Sequence, residues 1–434
     1  MSNSQAVLDI HDKPSTGKLA TLSIQHMFAM FGATILVPQL VGLSPAIALL
    51  TSGIATLIFM FVTKFQVPAY LGSSFAFILP IQIATKEGGI GSAMIGSLFV
   101  ALVYIIVSLV IWKTGYKWIM KLLPPIVVAP VIIVIGLALS PVAVDMAMNI
   151  TVNDVKEYSM LHFSAALVTV AAAVIATLFF KGIISLMPVL IGIIVGYVYS
   201  LIIDIVDYTA VTNAKWISSP DFLLPGVHYD FVITPTMLAI MVPIAIVTIS
   251  EHIGHQLVLG KIVNRNYIKE PGLHRSILGD GLGTFISGLL GGPPKTTYGE
   301  NIGVLAITRV YSVYVIGGAA VLAIVFSFFG KVMALISTIP TAVLGGISIL
   351  LFGIIASSGL RMLVDSNIDF GNKRNLVISS IILVIGIGGA KLHFTETFEV
   401  QGMALAAIVG VVLNLILPGK PQLADDTLRD ITTE

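Results

Sequence analysis

The sequence predicts an all-α polytopic membrane protein of about fourteen transmembrane helices in a 7+7 inverted repeat, with short strand-like breaks in spans 3 and 10. Three observations predict this. The 434 residues are 56% hydrophobic and only 10% charged, with a mean hydropathy of +1.01. Apolar runs of spanning length follow one another along the whole chain. The two halves also repeat short motifs in the same order.

A bilayer core takes about 20 apolar residues per helix. Runs of that size fall near 19–41, 45–63, 69–84, 92–112, 125–145, 161–180, 182–203, 235–258, 276–291, 294–308, 310–330, 332–356, 376–390 and 402–418. Those near 69–84, 294–308 and 376–390 are short. The first run begins near Leu19 after a polar leader and is too long for the apolar part of a signal peptide, so it reads as a span. Zero cysteines exclude disulfides and thiolate metal sites. The longest stretch outside the spans, near 204–234, is far shorter than a typical domain. No Gly-x-x-x-x-Gly-Lys-Ser/Thr loop is present, so no nucleotide-driven motor is expected. Any transport must then run on a gradient or be passive.

The net charge of +1 hides an asymmetry. An even number of spans puts both termini on one side. Placing them in the cytoplasm puts Lys64, Lys113, Lys117, Lys121, Arg265 and Arg361, among others, in cytoplasmic loops. The opposite loops keep only Lys86, Lys156, Lys215, Lys331 and Lys391. The positive-inside rule therefore favours both termini of a multi-pass protein in the cytoplasm.

Four echoes link the halves. Ser23-Ile-Gln-His26 matches Ile249-Ser-Glu-His252, and Gly53-Ile-Ala-Thr56 matches Gly281-Leu-Gly-Thr284. Ser73-Ser-Phe75 matches Thr296-Thr-Tyr298, and Leu123-Pro-Pro-Ile-Val127 matches Ile339-Pro-Thr-Ala-Val343. Seven spans per half is odd, so the second half enters the membrane from the opposite side. In such carriers, paired short or Gly/Pro-interrupted segments mark the binding site. Here they are Tyr70–Pro80 and Gly291–Gly303. Their Ser-Ser-Phe-Ala-Phe and Thr-Thr-Tyr cores favour extended backbone, so a brief strand pair, each strand followed by a half-helix, is expected. Irregular backbone survives at membrane depth only when buried in protein or lining a cavity.

Two carboxylates sit beside this crossing. Glu251 follows the apolar run 237–250, and Glu300 lies in the broken tenth span. An ionisable group at membrane depth is costly and marks a functional site by default. Ionised carboxylates only accept hydrogen bonds, so they suit a ligand's N–H groups. Backbone N–H at Phe75 and Gly299 suits carbonyls, and Phe75, Phe77 and Tyr298 offer a stacking face. A small flat ligand with both donors and acceptors fits, and a nucleobase such as uracil has that pattern. Glu251 and His255 stand at i, i+4 on one helix face, so with Glu300 they are expected to form a proton-coupling set. His252 and His26 read as structural. Glu251-His-Ile-Gly-His255 lacks the first histidine of a zinc-protease motif, so no metal is expected. Asp280, Asp365 and Asp369 read as solvated charges at cytoplasmic helix ends. Gly192-x-x-x-Gly196 is a weak close-packing signal for a seam between copies. The acidic stretch after Pro418 reads as a disordered tail.

At Glu300-Asn301-Ile-Gly303-Val-Leu-Ala-Ile-Thr308-Arg309 the chain resembles the nucleobase–ascorbate transporters, the second type of nucleobase:cation symporters. Their signature is Gln/Glu/Pro-Asn-x-Gly-x-x-x-x-Thr-Arg/Lys/Gly. Gly72-Ser-Ser-Phe-Ala-Phe77 and Glu251-His-Ile-Gly-His255 agree with it, and the similarity runs from the first span to the last. Within the family, glutamate at the first signature position implies uracil rather than xanthine or ascorbate as cargo. The resemblance further implies a core domain (19–122 and 231–330) moving against a gate domain (123–230 and 331–418), with tails at 1–18 and 419–434. Uracil would be held by the side chains of Glu251 and Glu300 and the main chain at Phe75 and Gly299, beside Tyr298, with His255 assisting. Proton symport, a homodimer and a place in the cytoplasmic (inner) cell membrane are also implied. No cofactor, no nucleic acid and no enzymatic activity are expected. The alternatives are another nucleobase as cargo or an anion exchanger or channel of related fold, which two central acids disfavour.

Overall fold

The structure, a computed structural model, describes residues 6–153, 155–182, 184–395 and 398–419. The acidic tail expected at the C-terminal end therefore lies, from residue 420 on, outside the described residues. The chain is mostly helical. α1 (Thr16–Val41) ends on Gly42 in the left-handed conformation, and α2 (Pro45–Val62) opens on a proline, the residue best suited to a first turn. β1 (Leu71–Ser73) follows, then a 3-10 turn over Phe75–Phe77 that runs into α3 (Ile78–Thr114). α3 breaks at Gly88 and Gly89. Gly89 has φ +74, a conformation that costs a glycine no Cβ clash. The expected spans 69–84 and 92–112 lie on either side of that break.

α4 (Lys117–Leu122) leads to α5 (Pro125–Ala138) and α6 (Ser140–Met148). A hairpin of β2 (Asn149–Val152) and β3 (Val155–Tyr158) precedes α7 (Met160–Phe179). Next come α8 (Pro188–Ile202) and the short α9 (Thr209–Asn213). α10 (Pro235–Met241) and α11 (Ile244–Val263) share one expected span, interrupted at Pro243. α12 (Leu273–Leu290), β4 (Lys295–Thr297) and α13 (Gly299–Thr308) come next. α14 (Val313–Phe326), α15 (Gly330–Ser337), α16 (Thr341–Asp365) and α17 (Lys373–Ile387) precede a hairpin of β5 (Lys391–Thr395) and β6 (Phe398–Gln401), and α18 (Gly402–Ile416) closes the fold.

Among the described residues, seven helical stretches are long and apolar enough to cross a bilayer, or eight if α14 and α15, bent by 85°, form one span. α8 and α18 are shorter apolar helices. The chain is a multi-pass, mostly helical membrane protein. Breaks at strands, prolines and glycines leave several remaining apolar stretches below simple spanning length. The helices sort into two packing groups. α12 packs on α2 and α3, and α14 on α1 and α2, whereas α16 packs on α5, α6 and α7, and α17 on α5 and α18.

Several expectations need correction. The stretch read as a span at 332–356 is split by Pro340, which lacks an N–H to continue a helix. α16 starts after it and runs on to Asp365, so Ser358, Arg361 and Asp365 share one helix. Phe75-Ala-Phe77 is helical rather than extended, because the strand ends at Ser73. The glycines of Gly192-x-x-x-Gly196 pack within the chain: a Cβ on Gly192 would sit 3.0 Å from the Thr169 carbonyl, and one on Gly196 would overlap the Thr169 side chain. Part of the segment expected as the N-terminal tail packs against the body of the protein. Val7 N–H donates to the Arg309 carbonyl at 2.9 Å and Tyr311 N–H to the Leu8 carbonyl at 2.7 Å, with Ile10 fully buried.

Candidate functional site

β1 and β4 cross as an antiparallel pair, with Leu71 opposite Thr297, Gly72 opposite Thr296 and Ser73 opposite Lys295. A pair this short does not persist alone, and flanking side chains hold it. Thr56 Oγ1 on α2 accepts from Leu71 N–H at 2.9 Å and donates to the Ser52 carbonyl at 2.8 Å. Thr284 Oγ1 on α12 accepts from Lys295 N–H and donates to the Lys295 carbonyl, both at 3.0 Å. Gly72 permits the crossing to close, since a Cβ there would overlap the Tyr298 ring. The Tyr298 hydroxyl donates to the Ser73 carbonyl at 3.3 Å.

Beyond β4 the chain turns into α13. Gly299 is its first residue and Glu300 lies in its first turn. The first N–H groups of a helix have no intrahelical acceptor and form its positive end. The next residue anchors this turn: Asn301 Oδ1 accepts from His26 Nε2 of α1 at 2.5 Å, and Asn301 Nδ2 donates to the Pro68 carbonyl at 3.1 Å. The spacing of Glu251 and His255 on α11 brings both to one cavity. Its volume is about 230 Å³, and its lining includes Phe75, Glu251, His255, Tyr298, Gly299 and Glu300. That is well above the roughly 10–15 Å³ needed for a single water. The six residues expected to bind or couple thus meet in one place, although 176 positions of chain separate Phe75 from Glu251, whereas Phe77, expected in the stacking face, is fully buried and is not part of the lining.

The opposite wall comes from α5 and α16, with Ile132, Ile354, Ile355, Ser358 and Met362, and the cavity reaches Arg361 and Asp365. Phe75 packs edge-on against Phe352 of α16, with ring centres 6.0 Å apart. Glu251 Oε2 and Glu300 Oε1 are buried with no protein partner. Buried polar atoms are usually satisfied, so two unpartnered carboxylate oxygens on residues that line the cavity mark a place where donors are missing. His255 Nδ1 lies 3.2 Å from Thr297 Oγ1, which itself lies 3.4 Å from His252 Nδ1.

Sequence reasoning missed four positions. Asp280, expected to be solvated, is fully buried, and its Oδ2 lies 2.8 Å from His252 Nδ1, while His252 Nε2 is 2.9 Å from Ser276 Oγ. Thr297 and Asn301 orient His255 and the α13 turn, and only their place beside the signature residues could have pointed to them. Lys295 is fully buried in the crossing itself. A lysine inside the broken tenth span was the available signal.

Helices broken at a central crossing, with two carboxylates facing a cavity between two helix groups, define a membrane carrier rather than an enzyme. A family profile described as "Permease family" matches residues 17–395, and the chain belongs to that family. It is 64% identical over 424 residues to a uracil permease of Bacillus caldolyticus, covering 98% of both chains. To a uracil permease of Bacillus subtilis (strain 168) it is 57% identical, covering 98% of this chain and 99% of the other. To one of Escherichia coli (strain K12) it is 42% identical, covering 94% and 93%. Among solved structures, the transmembrane domain of the cyanobacterial bicarbonate transporter BicA superposes with a TM-score of 0.65 at 15% identity, covering 95% of this chain and 100% of that one. The murine anion transporter Slc26a9 in its inward-facing state gives 0.67 at 9%, covering 93% and 68%. At such identities the likeness speaks for the fold alone.

Proposed function

We propose that this chain carries uracil into the cell by proton-coupled symport, through alternating access of a core against a gate. The observation that carries this reading is the pair of unpartnered carboxylate oxygens on Glu251 and Glu300, two residues that line one cavity beside the N-terminal end of α13. Uracil presents ring N–H donors to such acceptors and carbonyls to the N–H groups at Phe75 and Gly299. Phe75 and Tyr298 bound the plane of the ring. The identity to proteins named uracil permease supports the same cargo.

Glu251, His255 and Glu300 are the proton-coupling set in this reading, with protonation and ligand together allowing the loaded core to move. The two packing groups support a division into core (19–122 and 231–330) and gate (123–230 and 331–418), within about fourteen spans arranged as a 7+7 inverted repeat. The cavity reaches Arg361 and Asp365, which the charge asymmetry puts on the cytoplasmic side with both termini. Two copies joined through gate domains form the expected homodimer.

The test is uptake of labelled uracil into proteoliposomes, with and without an inward proton gradient and with xanthine as competitor. Gradient-driven accumulation that xanthine leaves unchanged is the expected result. Equilibration without accumulation would keep the cargo and discard the coupling. Inhibition by xanthine would move the cargo to another nucleobase.

A further inference from the structure

Lys295 has no role in the mechanism above, yet it lies under the strand crossing with no exposure at all. Its Nζ lies 3.1 Å from the Ala48 carbonyl, 3.0 Å from Ser52 Oγ and 3.3 Å from Ser73 Oγ. An ammonium carries three donors and no acceptor, so each donor has one oxygen. None of those oxygens belongs to a carboxylate. Burying a charge without an opposite charge is expensive. The strand pair does not require it either, because the backbone of any residue other than proline could serve the β4 position.

The arrangement makes sense as a cation site. A carbonyl and two hydroxyl oxygens, converging from α2 and β1, are the hard neutral donors that hard cations accept. The ammonium arrives from β4, directly opposite Ser73 in the strand register. It therefore ties one helix and both strands at a single point, just before Thr296 and Thr297 enter the cavity lining. We propose that the Lys295 ammonium is a tethered monovalent cation in an oxygen-lined site between α2, β1 and β4, where it positions the crossing so that ligand binding needs no free alkali ion. Lys295 is a positioning residue in this scheme and touches no substrate. The binding readout rests on uracil being the cargo.

Truncation to Lys295→Ala leaves the three oxygens and opens the space. Lys295→Met fills the space without charge. Equilibrium binding of uracil to purified protein is measured in choline, sodium, potassium and methylammonium chloride, together with the thermal unfolding midpoint. The wild type is expected to behave alike in all four salts. Lys295→Ala is expected to bind at least tenfold more weakly in choline and to recover severalfold in methylammonium or an alkali salt. Lys295→Met is expected to be weakened in every salt. Wild-type affinity of Lys295→Ala in choline, or an equal loss in all four salts, would overturn the proposal. If Lys295→Ala does not survive purification, Lys295→Ser is read in the same four salts: cation-dependent recovery supports the tethered cation, and an equal loss in all four overturns it. Failure of the wild type to bind uracil would count against the cargo alone, since cation-specific stabilisation of Lys295→Ala would still report on the site.

Discussion

Thr56 and Thr284 do the same work from opposite sides of the crossing. Each presents a hydroxyl from a helix to the backbone of one strand residue, Leu71 or Lys295. Leu71 faces Thr297 and Lys295 faces Ser73, so a local two-fold axis through the Gly72–Thr296 pair exchanges the two arrangements. The two threonines are also equivalent in the sequence echo Gly53-Ile-Ala-Thr56 and Gly281-Leu-Gly-Thr284.

Replacing either threonine by valine keeps shape and removes the hydroxyl. It strands a buried backbone N–H, which costs about 1–3 kcal/mol. Thr56→Val and Thr284→Val should therefore each lower the thermal midpoint in detergent and weaken uracil binding. A variant with both properties intact would show that the strands hold without their clamps.

Glu300→Gln exchanges an ionised acceptor for an amide that must also place two donors. Loss of a hydrogen bond to a charged group costs about 1.5–3 kcal/mol. Uracil affinity should fall tenfold or more in an equilibrium binding assay, with the midpoint little changed. Binding at wild-type strength would remove Glu300 from the site.

His255 reaches the cavity beside the carboxylates but is hydrogen-bonded to Thr297 rather than free. His255→Ala should keep measurable uracil binding while uptake becomes less dependent on the proton gradient. The check is the ratio of uptake with and without the gradient, compared with the wild type. An unchanged ratio would take His255 out of coupling.

His252→Leu would leave Asp280 buried without its partner. Leaving a buried polar group without its partner costs about 1–3 kcal/mol, and more where the stranded group is charged. The yield of folded protein should drop sharply, and a double change to His252→Leu with Asp280→Leu should recover part of it. A single variant as stable as wild type would mean that the pair carries no structural load.

Much of the site was legible because membrane burial is severe. A carboxylate in an apolar run stands out in any sequence, and Glu251, Glu300 and His255 do meet in one cavity. Asp280 was misread for the same reason in reverse. Near the predicted end of a span a charge reads as solvated, and only the position of His252 on the neighbouring helix shows that Asp280 is enclosed. Lys295 stood inside the tenth span, but what it binds could not be read locally, because its partners lie 222 to 247 positions away in the chain.

The sequence by itself determined a polytopic helical membrane protein, its broken segments, the acids at their crossing and the family signature. These follow from local composition, since hydropathy, glycine and proline act over a few residues. The tertiary structure alone decided which strand residues pair, that α16 continues to Asp365 to form the cavity wall, and that His26, Asn301, His252, Asp280 and Lys295 are partnered inside the protein. Those outcomes depend on contacts between segments far apart in the chain, where a hydrogen bond of about 3 Å has no trace in local periodicity.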